Sequence, residues 1–237
     1  MLIIASNFKT NHTRKSTKEF IEKTNSFIKE NNIKNEVLIF PTSSSLDSFS
    51  CERNLNIGIQ NAFPTMKGSY TGEIGLEQIE EFGLKTILIG HSERREIFKE
   101  SQEDISKKFN FYKNQGFKII YCIGEPLEIK NQGLDKTLEY LFAQFEGIDT
   151  NYEKLILAYE PIWAIGTGVT ATIEDIKNIH EAIKSKIDKA LLYGGSVKLE
   201  NIEDICSLKS VDGALIGTAS WNIDDFIQIL EKTKDLK

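Results

Sequence analysis

Four short stretches carry side chains able to move protons or hold anions. They are Asn7-Phe8-Lys9, the run Gly90-His91-Ser92-Glu93-Arg94-Arg95, the run from Ala158 through Glu160 to Gly166-Thr167-Gly168, and Tyr193-Gly194-Gly195-Ser196-Val197. A carboxylate such as Glu160 can take up a proton and return it. An imidazole such as His91 can donate to an oxygen on which charge develops, and the Lys9 ammonium can offset that charge. Backbone N–H groups of such glycine-containing stretches suit a phosphate, because glycine permits close approach and a helix start favours an anion. Taken singly, Glu160 reads as a solvated carboxylate, His91 as a packed histidine and Lys9 as a surface lysine. What raises them above those readings is that each follows an apolar run of strand length.

Such runs recur at Leu2–Ala5, Val37–Phe40, Leu55–Ile59, Thr86–Ile89, Phe117–Cys122, Leu155–Tyr159, Ala190–Tyr193 and Val211–Ile216. They are nearly continuous rather than alternating, as strands buried on both faces require, so they predict a parallel sheet covered by helices. Helical periodicity lies between them, clearest where Ile173, Ile176, Ile179, Ile183 and Ile187 form one aliphatic face. Thr172-x-x-Asp175 marks the start of that helix as a capping box. Strict alternation of strand and helix, with no linker of biased composition, predicts a single (β/α)8 barrel domain over residues 1–237, with a doubly wound open sheet as the runner-up. The polar residues then gather at the C-terminal ends of the strands. The two longest connections, 61–74 and 161–171, fall at functional positions for such a fold.

Composition narrows the partners. The 237 residues carry a net charge of -6, which disfavours general affinity for nucleic acid or an anionic membrane. The N-terminal apolar run lacks a basic leader and is too short to cross a membrane, so a cytoplasmic protein is expected. Cys51, Cys122 and Cys206 form neither a disulfide framework nor a Cys-x-x-Cys motif, and His12, His91 and His180 lack metal-site spacing. No metal and no cofactor are expected.

In this order and at these strand ends, the four stretches resemble the triosephosphate isomerase family, and the similarity spans essentially the whole chain. The resemblance implies a TIM barrel that interconverts dihydroxyacetone phosphate and D-glyceraldehyde 3-phosphate through an enediolate. Glu160 is then the base, His91 the electrophile and Lys9 the cation beside the developing charge. A carboxylate base paired with a neutral histidine at a helix start is the scheme known for this family. The resemblance further implies that Asn7, Lys9, Gly166, Ser196, Gly217 and Thr218 bind substrate and that Glu93 is a supporting residue. Cys122 packs near the base, and residues 161–171 form a lid with Tyr193 as its latch. Tyr70-Thr71-Gly72-Glu73 resembles the family's intersubunit loop, so a homodimer is expected, with Thr71 near the partner's Asn7, Lys9 and His91 and with Glu73 pairing Arg94 across the interface.

The chain departs from the family pattern in three places. Thr218 stands where glycine is usual and is expected to weaken phosphate binding, because a β-branched residue is stiffer. Val169 replaces a common lysine, and the segment between the sixth and seventh strands is short. Another barrel acting on a phosphorylated metabolite would share the glycine-rich loops but need other acids and bases. A catalytically silent phosphate-binding barrel would have lost one of Lys9, His91 and Glu160.

Overall fold

The computed structural model describes residues 1–165 and 170–237. Its strands are β1 (Ile3–Asn7), β2 (Glu36–Phe40), β3 (Leu55–Ile57), β4 (Thr86–Ile89), β5 (Lys118–Ile123), β6 (Leu155–Tyr159), β7 (Ala190–Tyr193) and β8 (Gly213–Ile216). All pair in parallel, in the order β3-β2-β1-β8-β7-β6-β5-β4. The two ends of that sheet meet through Ile59, whose N–H donates to the Thr86 carbonyl at 2.9 Å and whose carbonyl accepts from Leu88 N–H at 3.0 Å. The sheet therefore closes into a (β/α)8 barrel, and the open-sheet alternative falls away.

Side chains alternate between two apolar layers. Ile3, Ala5, Leu38, Phe40, Leu88, Ile120, Cys122, Ile156, Ala158, Leu192 and Leu215 fill the barrel interior. Their neighbours along the strands, such as Ile4, Ile39, Ile119, Tyr121, Leu157 and Tyr159, pack outward against the helices. Both faces are dry, which explains the unbroken apolar runs. The same alternation carries to the ends of the strands and past them. After the inward Ile156 and Ala158 comes Glu160, and after Ile3 and Ala5 comes Asn7, so both reach the barrel mouth.

The helices are α1 (Arg14–Glu30), α2 (Leu76–Glu81), α3 (Ser92–Glu96), α4 (Gln102–Asn114), α5 (Leu127–Lys130), α6 (Leu134–Ala143), α7 (Ile173–Lys184), α8 (Ile202–Ser207) and α9 (Ile223–Thr233). The capping box of α7 forms as expected: Thr172 Oγ1 accepts from Asp175 N–H at 3.0 Å, and the Asp175 carboxylate accepts from Thr172 N–H at 3.3 Å. Its aliphatic face buries Ile176, Ile179 and Ile183. The β2–β3 connection is the exception to strand–helix alternation. It holds only a 3-10 turn, Ser43–Ser45. Pro41 and three successive serines compete with helical backbone bonding, and no apolar stripe recurs there. Among the described residues, no helix is long and apolar enough to cross a membrane.

Buried within α7, His180 gives the fold a pH response. Its Nδ1–H donates to the Ser210 carbonyl at 3.2 Å, while Nε2 has no partner among the described residues. Protonation would bury a cation and an unpaired N–H, and burial lowers its pKa from 6.5 to about 4. Asp212 opposes the shift and Lys184 and Lys237 add to it, all more weakly than burial. The unfolded chain takes up this proton more readily, so the contribution is complete above pH 6.5 and is lost as pH falls towards 4. Chemical denaturation of wild type at pH 7 and pH 5 should show roughly 2 kcal/mol of loss from this group. His180→Gln should reduce that loss, and an identical pH dependence in the variant would refute the assignment.

Candidate active site

At the C-terminal ends of the strands lies a cavity of about 550 Å³. Asn7, Lys9, His91, Glu93, Glu160, Ser196, Gly217 and Thr218 all line it, which brings together every expected site residue that is described. Gly166, expected to bind phosphate, and Val169 lie outside the described residues.

Lys9 follows β1 at φ 51°, a left-handed conformation that a residue with a Cβ adopts at a cost. Two side chains hold it there. Asn7 Oδ1 accepts the Lys9 N–H at 2.9 Å, and Gln60 Nε2 donates to the Lys9 carbonyl at 2.8 Å and to the Phe40 carbonyl at 2.9 Å. The ammonium donates to Glu93 Oε1 at 2.6 Å. Trp221 Nε1–H donates to the Asn7 carbonyl at 3.0 Å and ties the segment after β8 to β1. A Cβ on Gly217 would lie 3.4 Å from Lys9 Cε, so the glycine leaves the lysine room.

His91 reaches the mouth because Gly90, at φ 77°, ends the pleat of β4. A side chain at Gly90 would also meet Arg95 Nη2 at 2.8 Å. His91 is the N-cap of α3, and its Nδ1 accepts the backbone N–H of Glu93 at 3.2 Å. That contact uses the Nδ1 lone pair, which leaves a neutral ring with its proton on Nε2. Nε2 lies 3.2 Å from Glu160 Oε1.

Glu160 follows β6 and is 2% exposed. Its Oε2 accepts the Ser92 N–H at 2.8 Å, so the carboxylate rests on the start of α3 beside the imidazole. Two glycines make space for it. A Cβ on Gly124 would come within 1.9 Å of the Glu160 carbonyl oxygen, and one on Gly194 within 2.8 Å of Glu160 Cγ. Cys122, expected as packing near the base, is fully buried inside the barrel. Burial, reinforced by the Glu160 charge, pushes its thiol well up and keeps it protonated.

Glu125 was not singled out from sequence. It is 1% exposed, and its Oε1 accepts from Trp163 Nε1 at 2.7 Å and from the Tyr159 hydroxyl at 3.0 Å. Burial raises its pKa more than these donors lower it. Lys130 Nζ lies 3.3 Å from the centroid of the Trp163 ring. These groups secure the described beginning of segment 161–171, while Thr172 and Asp175 secure the helix that follows it. The expected latch, Tyr193, is buried against Gly195, where a Cβ would come within 2.3 Å of its hydroxyl oxygen. That hydroxyl has no partner among the described residues.

A second groove, of about 530 Å³, shares Asn7, Lys9 and His91 and continues past Arg94, Ile97 and Phe98. Ile97 and Phe98 are strongly exposed, as are Met66 and Tyr70 in segment 61–74. Thr71 and Glu73 are exposed in the same segment. Arg94 has a partner within its own chain that the sequence did not reveal: Nε and Nη2 donate to Glu100 Oε1 at 2.8 and 2.6 Å. Lys108 donates to the same oxygen.

The triosephosphate isomerase family model matches residues 2–233. The chain is 54% identical over 235 residues to a triosephosphate isomerase of Sulfurimonas denitrificans, covering 99% of this chain and 97% of that one. It is 50% identical over 236 residues to one of Nitratiruptor, covering both chains completely. It is also 50% identical over 231 residues to one of Wolinella succinogenes, covering 98% of this chain and all of the relative. A match of this extent, on a closed barrel with a carboxylate, an imidazole and an ammonium at one mouth, places the chain in the triosephosphate isomerase family.

Proposed function

We propose that this chain, as one barrel domain, interconverts dihydroxyacetone phosphate and D-glyceraldehyde 3-phosphate, with Glu160 as base and His91 as electrophile. The observation that carries the assignment of roles is the meeting of Glu160 Oε1 and His91 Nε2 at 3.2 Å in the cavity lined by Lys9. Glu160 leaves the Ser92 N–H, takes a proton from C1 of the ketone, and forms an enediolate. His91 Nε2–H gives its proton to the C2 oxygen and takes up the proton of the C1 hydroxyl, so that the charge passes from O2 to O1 and His91 ends unchanged, while Lys9 offsets that charge and Glu93 orients Lys9. Returning the proton from Glu160 to C2 gives the aldehyde and regenerates the carboxylate. Burial of Glu160 supports this role, since it keeps bulk water from the carboxylate.

The phosphate is held by backbone N–H groups of Gly166, Ser196, Gly217 and Thr218, with Thr218 weakening binding relative to glycine. Segment 161–171 closes over the enediolate, excludes water and engages Tyr193, whose hydroxyl, without a partner among the described residues, supports a latch role. The exposed Ile97 and Phe98 lining the second groove, and the exposed Met66 and Tyr70 of segment 61–74, support a homodimer, with segment 61–74 of each copy entering the other's groove. Thr71 then approaches the partner's Asn7, Lys9 and His91, and Glu73 joins Arg94 and Glu100 at the boundary. Three unbridged cysteines favour a reducing compartment, the cytoplasm.

A coupled assay with glyceraldehyde 3-phosphate tests the reaction, and light scattering on the same preparation tests the dimer. Turnover in D2O should leave deuterium on the carbon that receives the proton. No turnover would overturn the reading, and full activity at monomeric mass would overturn the role of assembly.

A further inference from the structure

Building on that reading, we infer that Lys198 supplies the unpaired positive charge that draws the substrate phosphate into the cavity, a recruiting role that Lys9 cannot fill alone. Lys9, Glu93, Glu160 and Lys198 are the charged residues lining the cavity among those described. The Lys9 ammonium is bound to Glu93 at 2.6 Å. Lys9, Glu93 and Glu160 therefore leave one net negative charge where a dianion must enter, on a chain whose own net charge is -6. Lys198 cancels that local excess. Among the described residues, no carboxylate forms an ion pair with its ammonium.

Its place is fixed by the turn that also carries Ser196. Asn201 Oδ1 accepts the Lys198 N–H at 2.7 Å, and Asn201 Nδ2 donates to the Ser196 carbonyl at 3.0 Å. The Lys198 carbonyl accepts from Asn201 N–H at 3.2 Å and from Ile202 N–H at 3.1 Å. Val197, between the two residues, is buried. The turn thus holds Lys198 beside the Ser196, Gly217 and Thr218 backbone that receives the phosphate. Lys198 is exposed, so its charge acts through water, as an attraction on approach and binding rather than on the proton transfers.

The test compares wild type, Lys198→Gln, Lys198→Arg and Lys29→Gln, the last removing an equal charge from the exposed end of α1. At low ionic strength, Lys198→Gln should lower kcat/KM for glyceraldehyde 3-phosphate roughly three- to tenfold, as expected for one charge facing a dianion across solvent. The loss should fall mainly on KM, shrink with added potassium chloride, and be rescued by Lys198→Arg. A merely structural loss would show neither salt relief nor rescue by arginine. Inorganic phosphate, titrated calorimetrically, should bind Lys198→Gln at least threefold more weakly than wild type. Wild-type KM, salt dependence and phosphate affinity in Lys198→Gln would overturn the proposal, as would an equal loss in Lys29→Gln. If wild type does not isomerise glyceraldehyde 3-phosphate, the functional reading fails, and the phosphate titration still decides the role of Lys198.

Discussion

Glu160→Gln should reduce kcat by roughly three orders of magnitude, the scale of a lost general base. Glutamine is the informative replacement because of what Glu160 does at rest. Its Oε2 satisfies the Ser92 N–H at 2.8 Å, and the residue itself is almost completely buried. Alanine would abolish the base and also strand that donor, mixing a catalytic loss with a structural one. An amide keeps the shape and an accepting oxygen but cannot take a proton from carbon. Glu160→Gln should therefore bind inorganic phosphate as wild type does, keep its circular dichroism, and fail in turnover. Glu160→Asp completes the comparison: it retains the base but withdraws it by one methylene, and a displacement of about 1 Å can cost roughly a hundredfold. A glutamine variant with kcat within tenfold of wild type would remove Glu160 from the role of base.

How much of this site could be read from the sequence depended on whether the relevant contact was local. Strands β4, β6 and β7 begin and end where the apolar runs do, because both faces of each are dry and the pattern changes at the first residue that is not. The α7 capping box is equally local, a bond between residues three apart. Alternation places Asn7 and Glu160 at the mouth without any knowledge of tertiary structure. The β2–β3 connection departed from the helical expectation because its serines favour local turn bonds over a helix with no apolar stripe.

The supports of the site were hidden because they are long-range. Gly124 and Gly194 look like ordinary turn glycines, and their need for a missing side chain is visible only once Glu160 lies against them. Glu125 reads as one acid among 35 Asp and Glu residues until folding buries it under Trp163 and Tyr159. Gln60 acquires a role only when β3 closes onto β4 and brings it under Lys9 and Phe40. Arg94 illustrates the converse. The resemblance supplied an intersubunit partner, but the bond to Glu100, six residues along the chain, followed from neither motif nor periodicity.

His91 has two tasks on the two nitrogens of one ring, and a pair of substitutions should separate them. Nδ1 caps α3 by accepting the Glu93 N–H at 3.2 Å, whereas Nε2–H faces Glu160 and, in the proposed reaction, the enediolate oxygen. Asparagine is among the best N-caps, so His91→Asn should keep the helix start while its shorter amide no longer reaches the reacting oxygen. His91→Ala loses both functions. Both variants should lower kcat by roughly 10²–10³, the usual consequence of removing one donor to a developing oxyanion. Only alanine should also destabilise the fold, by about 1 kcal/mol for a lost cap, measured by chemical denaturation. If asparagine retained wild-type kcat, Nε2 would not be the electrophile. If alanine were as stable as asparagine, the Nδ1 contact would not be holding α3, and with it the Ser92 N–H on which the resting Glu160 depends.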